Sequence, residues 1–127
     1  MSLKVTSYEK TKNGKGTGLF VVSPEGSLDT NTYPILEEKV DTILDDSPSW
    51  MVFDLQKLDY ISSMGVRVIA KAKKFFKERE GSVVLLNPQP QIRKVFEIVK
   101  ALPSEHIFES IEEMDRYLDN IQKKALE

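Results

Sequence analysis

The sequence predicts an α/β domain with a mixed sheet of four to five strands and about four helices, and three observations carry that expectation. Short apolar runs rich in Val, Leu, Ile and Phe alternate with segments whose apolar residues recur every three or four positions. The connections between them are short and marked by Gly, Pro, Asn and Ser. A hairpin signal precedes the alternation, so antiparallel and parallel pairs should share one sheet, with helices laid against it.

Val5 to Tyr8 and Leu19 to Ser23 read as short strands joined through Lys12-Asn13-Gly14-Lys15-Gly16-Thr17-Gly18, whose Asn-Gly pair suits a hairpin turn. Pro24-Glu25-Gly26 reads as the turn that ends the second strand. A helix follows, because Tyr33, Leu36, Val40 and Ile43 recur at helical spacing, Pro34 falls in the first turn, and Ser47-Pro48 closes the segment. Trp50 to Leu55 is nearly continuous in apolar residues, the pattern of a strand central in its sheet or covered on both faces. Val66, Ile69, Ala72 and Phe76 line the second helix, Val68 and Phe75 widen its apolar face, and Gly81 takes the C-terminal capping position. Ser82 to Leu86 is a short buried strand, and Asn87-Pro88-Gln89-Pro90 turns the chain into a third helix, lined by Ile92, Val95, Phe96 and Val99 and ended by Pro103. Ile107-Phe108 reads as a minimal strand. Ser110-Ile111-Glu112-Glu113 is a capping box that opens a fourth helix lined by Ile111, Met114, Leu118 and Ile121.

A chain of 127 residues fits one domain, 1–127 with a core over about residues 3–122, and can bury that core without covalent staples. It has no cysteine, which removes disulfides, thiol nucleophiles and thiolate metal sites together and suits a reducing compartment. No apolar run approaches the roughly 20 residues that span a bilayer, and the N-terminus lacks the apolar segment of a secretory signal. The expectation is a cytoplasmic protein with no membrane partner. A net charge of -2 supplies no field that would gather nucleic acid. Lys71, Lys73, Lys74, Lys77 and Arg79 crowd one segment, but they fall between its apolar positions and read as the solvated face of the second helix.

Catalytic constellations are not visible. His106 is the sole histidine and no metal-ligand spacing surrounds it, so a Ser-His-Asp hydrolase is not expected. Ser62-Ser63-Met64-Gly65 is not a Gly-x-Ser-x-Gly elbow, and the chain has neither a Walker loop nor a dinucleotide glycine fingerprint. Asp41, Asp45 and Asp46 have the spacing of a solvated helix end and not of a calcium loop. The sequence thus points to a binding protein and not an enzyme, with neither metal nor cofactor.

The most informative stretch is Leu58 to Ile69, where an apolar strand hands over to an amphipathic helix through Ser62-Ser63-Met64-Gly65. Such a junction should present side chains to solvent at a helix N-terminus, where unpaired N–H groups and the helix dipole favour an anion. Ser62 or Ser63 either caps the helix or carries a phosphate there, and the local pattern admits both. In open sheets of this kind function gathers at the carboxyl ends of the strands, which is where this turn lies.

Two motifs give the chain a resemblance to STAS domains, and among them to the single-domain bacterial anti-sigma factor antagonists. Glu25-Gly26-Ser27-Leu28-Asp29-Thr30 is similar to the family's Gly-x-Leu-Asp element through Gly26, Leu28 and Asp29. Asp54-Leu55, Leu58 and Tyr60-Ile61-Ser62-Ser63-Met64-Gly65 are similar to its Asp-Ser-Ser-Gly or Ser-Ser-Ala-Gly turn. The order of elements also matches over nearly the whole chain.

The resemblance implies a single STAS-like domain that, unmodified, binds an anti-sigma factor and so releases a sigma factor. It implies that the anti-sigma factor is a GHKL-type serine kinase, that Ser63 is the residue it phosphorylates, and that a phosphatase of the PP2C type resets the site. Asp29, Ser62, Ser63, Met64, Gly65 and Arg67 would then form the partner surface. Ser62 stands where many members carry aspartate, and Met64 replaces a smaller residue. Arg67, one turn after Ser63, either holds the phosphate against the protein or is an exposed helix arginine. The resemblance also admits a STAS subunit of a larger sensory or membrane-linked assembly, stressosome-like or transporter-associated, and leaves self-association open.

Overall fold

A computed structural model of the chain describes residues 2–101 and 110–127. The strands are β1 (Leu3–Lys12), β2 (Lys15–Leu28), β3 (Trp50–Asp54), β4 (Leu58–Ile61) and β5 (Ser82–Leu86). The helices are α1 (Tyr33–Leu44), α2 (Ser63–Lys77), α3 (Pro90–Ala101) and α4 (Ile111–Ala125). The fold class is the expected one, a mixed five-stranded sheet with four helices. β4 is a strand where none was expected. The strand expected at Ile107-Phe108, the stop at Pro103 and His106 lie outside the described residues.

β1 and β2 pair antiparallel around Asn13 and Gly14, which both take positive φ as an Asn-Gly hairpin requires. On its other side β2 pairs twice, parallel with β3 over residues 19–22 and then parallel with β4 over residues 26–28. The expected turn at Pro24-Glu25-Gly26 is therefore strand, with Pro24 lying opposite Val5. A register shift after Gly26, whose φ of 109 suits only glycine, bends β2 from one neighbour to the next.

β3 is central, between β2 and β5. Met51 and Phe53 are fully buried while Trp50 stays 46% exposed, so this strand is covered on one face and not both. α1 and α2 supply the cover. α1 buries Leu36, Val40 and Ile43, and α2 buries Val66, Val68, Ile69, Ala72 and Phe76, which join Val22, Met51 and Phe53 in one core. Each of these side chains larger than alanine stabilises the fold by roughly 1.5–3 kcal/mol on burial. On the open face the strand registers align Tyr8, Val21, Val52 and Val84 across four strands.

The helix ends refine the sequence reading. α2 finishes with Glu78 as its C-cap, and the left-handed position falls to Glu80 (φ 57), while the Gly81 N–H donates to the Phe76 carbonyl at 2.8 Å. Lys71 of α2 faces outward and reaches Asp41 of α1 at 3.3 Å, and just past the helix end the Arg79 guanidinium lies 3.9 Å above the Phe75 ring. α3 and α4 pack on each other, with α3 against β4 and α4 against α2. Among the described residues, no helix is long and apolar enough to cross a membrane.

Candidate functional site

β4 and α2 meet almost without a loop: Ile61 ends the strand, Ser62 is the N-cap and Ser63 is the first helical residue. Ser62 has extended backbone (φ -93, ψ 173), and its Oγ accepts the Gly65 N–H at 3.4 Å, which identifies it as the capping serine. The Ser62 N–H donates to the Leu28 carbonyl at 2.8 Å and ties the turn to the end of β2. Gly65 makes that approach possible, since a Cβ there would stand 2.7 Å from Leu28 carbons and 2.8 Å from an Ile61 carbon. The two sequence motifs are thus neighbours in space.

Asp29 sits beside them in a structural role. Its Oδ1 accepts the N–H groups of Asn31 at 2.8 Å and Thr32 at 2.9 Å, capping the turn into α1. Thr32 Oγ1 accepts the Asp29 N–H at 2.8 Å and donates to the Ser27 carbonyl at 2.7 Å, and Ser27 Oγ donates to Asp59 at 3.1 Å.

Neither serine faces solvent, contrary to the expectation for such a junction: Ser62 is 2% and Ser63 is 1% exposed. α4 lies against the turn. Asp115 Oδ1 accepts the Ser63 N–H at 2.9 Å, so a carboxylate already occupies the anion-favouring end of α2. Gln122, 2% exposed, grips the backbone of β4. Its Oε1 accepts the Ile61 N–H at 2.9 Å, and its Nε2 donates to the carbonyls of Ile61 at 2.8 Å and Leu118 at 3.1 Å. The Tyr60 hydroxyl bonds Asp119, and burial, reinforced by Asp119, Asp115 and Asp29, pushes its pKa up to about 12. The Ser63 Oγ has no hydrogen-bond partner among the described residues.

Of the residues expected to form a partner surface, Ser62, Ser63 and Gly65 are buried, Asp29 and Met64 are half-buried, and Arg67 is exposed. Arg67 Nη1 turns toward Met64 Sδ at 3.9 Å. Sequence reasoning missed Tyr60, Asp115, Asp119 and Gln122 as parts of the site. Gln122 carries the one readable signal, a polar residue one turn beyond Leu118 on the apolar face of its helix. A separate groove of about 490 Å³ between α2 and α3 is lined by Val66, Ile69, Leu85, Phe96, Lys73 and Arg93 among others.

Against known proteins, the STAS domain model matches residues 10–114. BtrV of Bordetella bronchiseptica, assigned by name to the anti-sigma factor antagonists, is 33% identical over 81 residues, 64% of this chain and 70% of its own. The crystal structure of an anti-sigma factor antagonist from Mycobacterium paratuberculosis matches at a TM-score of 0.62, covering 98% of this chain and 96% of that one at 20% identity. SpoIIAA in its unphosphorylated form matches at 0.58, covering 92% and 98% at 19% identity. The Bacillus SpoIIAA structure in its phosphorylated form also matches at 0.58, covering 74% and 83% at 21% identity. At such identities the solved structures speak for the fold, and the model match, which spans most of the chain, speaks for the family: the chain belongs to the STAS domain family.

Proposed function

We propose that this protein is an anti-sigma factor antagonist whose unmodified form binds an anti-sigma factor and whose binding is ended by phosphate on Ser63. The observation that carries the reading is the Ser63 hydroxyl at the first position of α2, beside the Gly26–Asp29 end of β2, in a STAS chain. The name of BtrV supports the partner class. The partner in this reading is a GHKL-type serine kinase, and a PP2C-type phosphatase reverses its action. In the forward step the γ-phosphoryl group of the kinase's ATP passes to the Ser63 oxygen, the bond to the β-phosphate breaks and ADP leaves, and the hydroxyl proton goes to a base of the kinase. The chain itself contributes the acceptor and no catalysis.

The switch follows from electrostatics. Phosphate adds about -1.5 to -2 charge, which backbone N–H groups at the start of α2 can stabilise in the free protein. A partner packed over Met64, Arg67 and Asp29 must instead desolvate that charge, at a cost of several kcal/mol unless it supplies a cation. That is enough to change an affinity by orders of magnitude.

Titrating wild type, Ser63→Ala, Ser62→Ala, Ser63→Glu and phosphorylated protein against the purified anti-sigma factor tests the reading. Wild type and Ser63→Ala should bind alike, Ser63→Glu more weakly, and the phosphorylated form weakest of all. Equal affinity of phosphorylated and unmodified protein, or phosphate mapped by mass spectrometry to Ser62 alone, would overturn it. A second reading, a STAS subunit of a larger assembly that does not depend on modification of Ser63, is favoured by one observation, the burial of the hydroxyl. Under it the protein copurifies with a large scaffold or transporter complex and not with a small ATP-binding kinase.

A further inference from the structure

The hydroxyl that the proposed function needs is buried. Ser63 is 1% exposed, and its Oγ is buried without a partner. Among the described residues, α4 holds the backbone of this turn. α4 places the Asp115 carboxylate on the Ser63 N–H at 2.9 Å, fastens Gln122 to both backbone groups of Ile61, and buries Leu118 completely.

A phosphate on Ser63 and this arrangement compete for the same place. The phosphate would be drawn to the N–H groups at the start of α2, one of which Asp115 already holds. It would bring about -1.5 to -2 charge next to that carboxylate, with Asp119 one turn further along α4. Asp115 and Asp119 are half-buried and Asp119 is paired with Lys123 at 2.9 Å, so the repulsion is screened in part and falls chiefly on Asp115, which shares the Ser63 N–H. Either the phosphate or docked α4 holds the end of α2.

We propose that α4 is a detachable cover of the Ser63 turn, with Asp115 standing in the phosphate's place while it is docked, so that α4 must lift for Ser63 to be modified and stays off once it is. The inference rests on the reading of Ser63 as the modified residue. It adds a second output to the switch, because phosphorylation then exposes the edge of β4 that Gln122 closes and the apolar underside of α4 around Leu118.

The chain has no cysteine, so Ser63→Cys introduces a single thiol whose reaction with a disulfide reagent reads how often the cover opens. The thiol should react at least about 100-fold more slowly in the native protein than in the urea-unfolded chain, and adding Gln122→Ala should speed the native reaction about tenfold or more. The complementary measurement uses protein with phosphoserine encoded at position 63 and follows amide exchange. Protection over residues 111–125 should fall at least about tenfold while β3, β5 and α1 keep theirs, and Ser63→Ala should leave α4 protected. Retained protection of α3 and the sheet separates lifting of α4 from global unfolding in every variant.

A native Ser63→Cys thiol that reacts at the unfolded rate, or α4 protection that is unchanged by phosphoserine, overturns the proposal. Neither measurement uses a kinase or an anti-sigma factor. Failure here therefore leaves the proposed function standing, and failure to bind an anti-sigma factor leaves the cover standing.

Discussion

The two adjacent serines differ in what holds them. Ser62 Oγ accepts a helix N–H and its backbone is bonded to β2, whereas Ser63 Oγ is buried with no partner among the described residues. Replacing Ser62 by alanine leaves the Gly65 N–H uncapped and should cost about 0.5–2 kcal/mol. Replacing Ser63 by alanine removes a desolvated hydroxyl that makes no bond, so stability should hold or rise by a few tenths of a kcal/mol. Urea unfolding of the two variants checks the contrast, and equal losses would mean that both hydroxyls are bonded. The sequence left open which serine was the cap, and the geometry resolves it by the extended backbone at Ser62. The burial of Ser63 was not legible, because the residue that bonds its N–H, Asp115, lies 52 positions away on a different helix.

Among the elements, those with a full period of apolar residues were legible and the short one was not. α2 follows from Val66, Ile69, Ala72 and Phe76, all 6% exposed or less. β4 is four residues abutting a helix, too short to display an alternation, and it exists because the bend at Gly26 releases the end of β2 to pair with it. Its outer edge is met by Gln122 and Gln91, whose side chains take the Ile61 backbone and the Asp59 carbonyl in place of a further strand. Docking of α4 on this edge should depend on alkaline pH through Tyr60. The fold raises the Tyr60 pKa from 10.0 to about 12, chiefly by burial and then by Asp119, so it favours the protonated phenol. The stability this contributes is complete below pH 10 and is lost as the pH rises through 12. Amide protection of α4 should fall across that window in wild type, and this Tyr60-dependent fall should be missing in Tyr60→Phe. Tyrosinate absorbance should likewise show a late step near pH 12 that the variant lacks. Identical profiles for the two proteins would remove Tyr60 from the docking contacts.

At the scale of the whole molecule the core is unevenly shared. Val22, Met51 and Phe53 of the sheet share one core with residues of α1, α2 and α3 and with Leu118, the fully buried apolar residue of α4 among the described residues, beside which Met114 and Ile121 are only partly buried. Unfolding should therefore be two-tiered, with α4 leaving at lower free energy than the sheet. Phe53→Ala opens a cavity in the shared core and should cost about 3–5 kcal/mol, a large part of the roughly 5–15 kcal/mol that holds a domain of this size together. Leu118→Ala makes a cavity of similar kind, but its cost is bounded by the docking free energy of α4, because beyond that the helix simply detaches. Trp50, the single tryptophan, sits on central β3 and reports the sheet by its fluorescence. In urea, Phe53→Ala should lower the Trp50 midpoint strongly, while Leu118→Ala should leave it nearly in place and abolish amide protection over residues 111–125. If Leu118→Ala moved the Trp50 midpoint as far as Phe53→Ala, α4 would belong to the same cooperative unit as the sheet. Lifting it from Ser63 would then require unfolding the domain, and a modifying enzyme would meet the hydroxyl only in the unfolded chain.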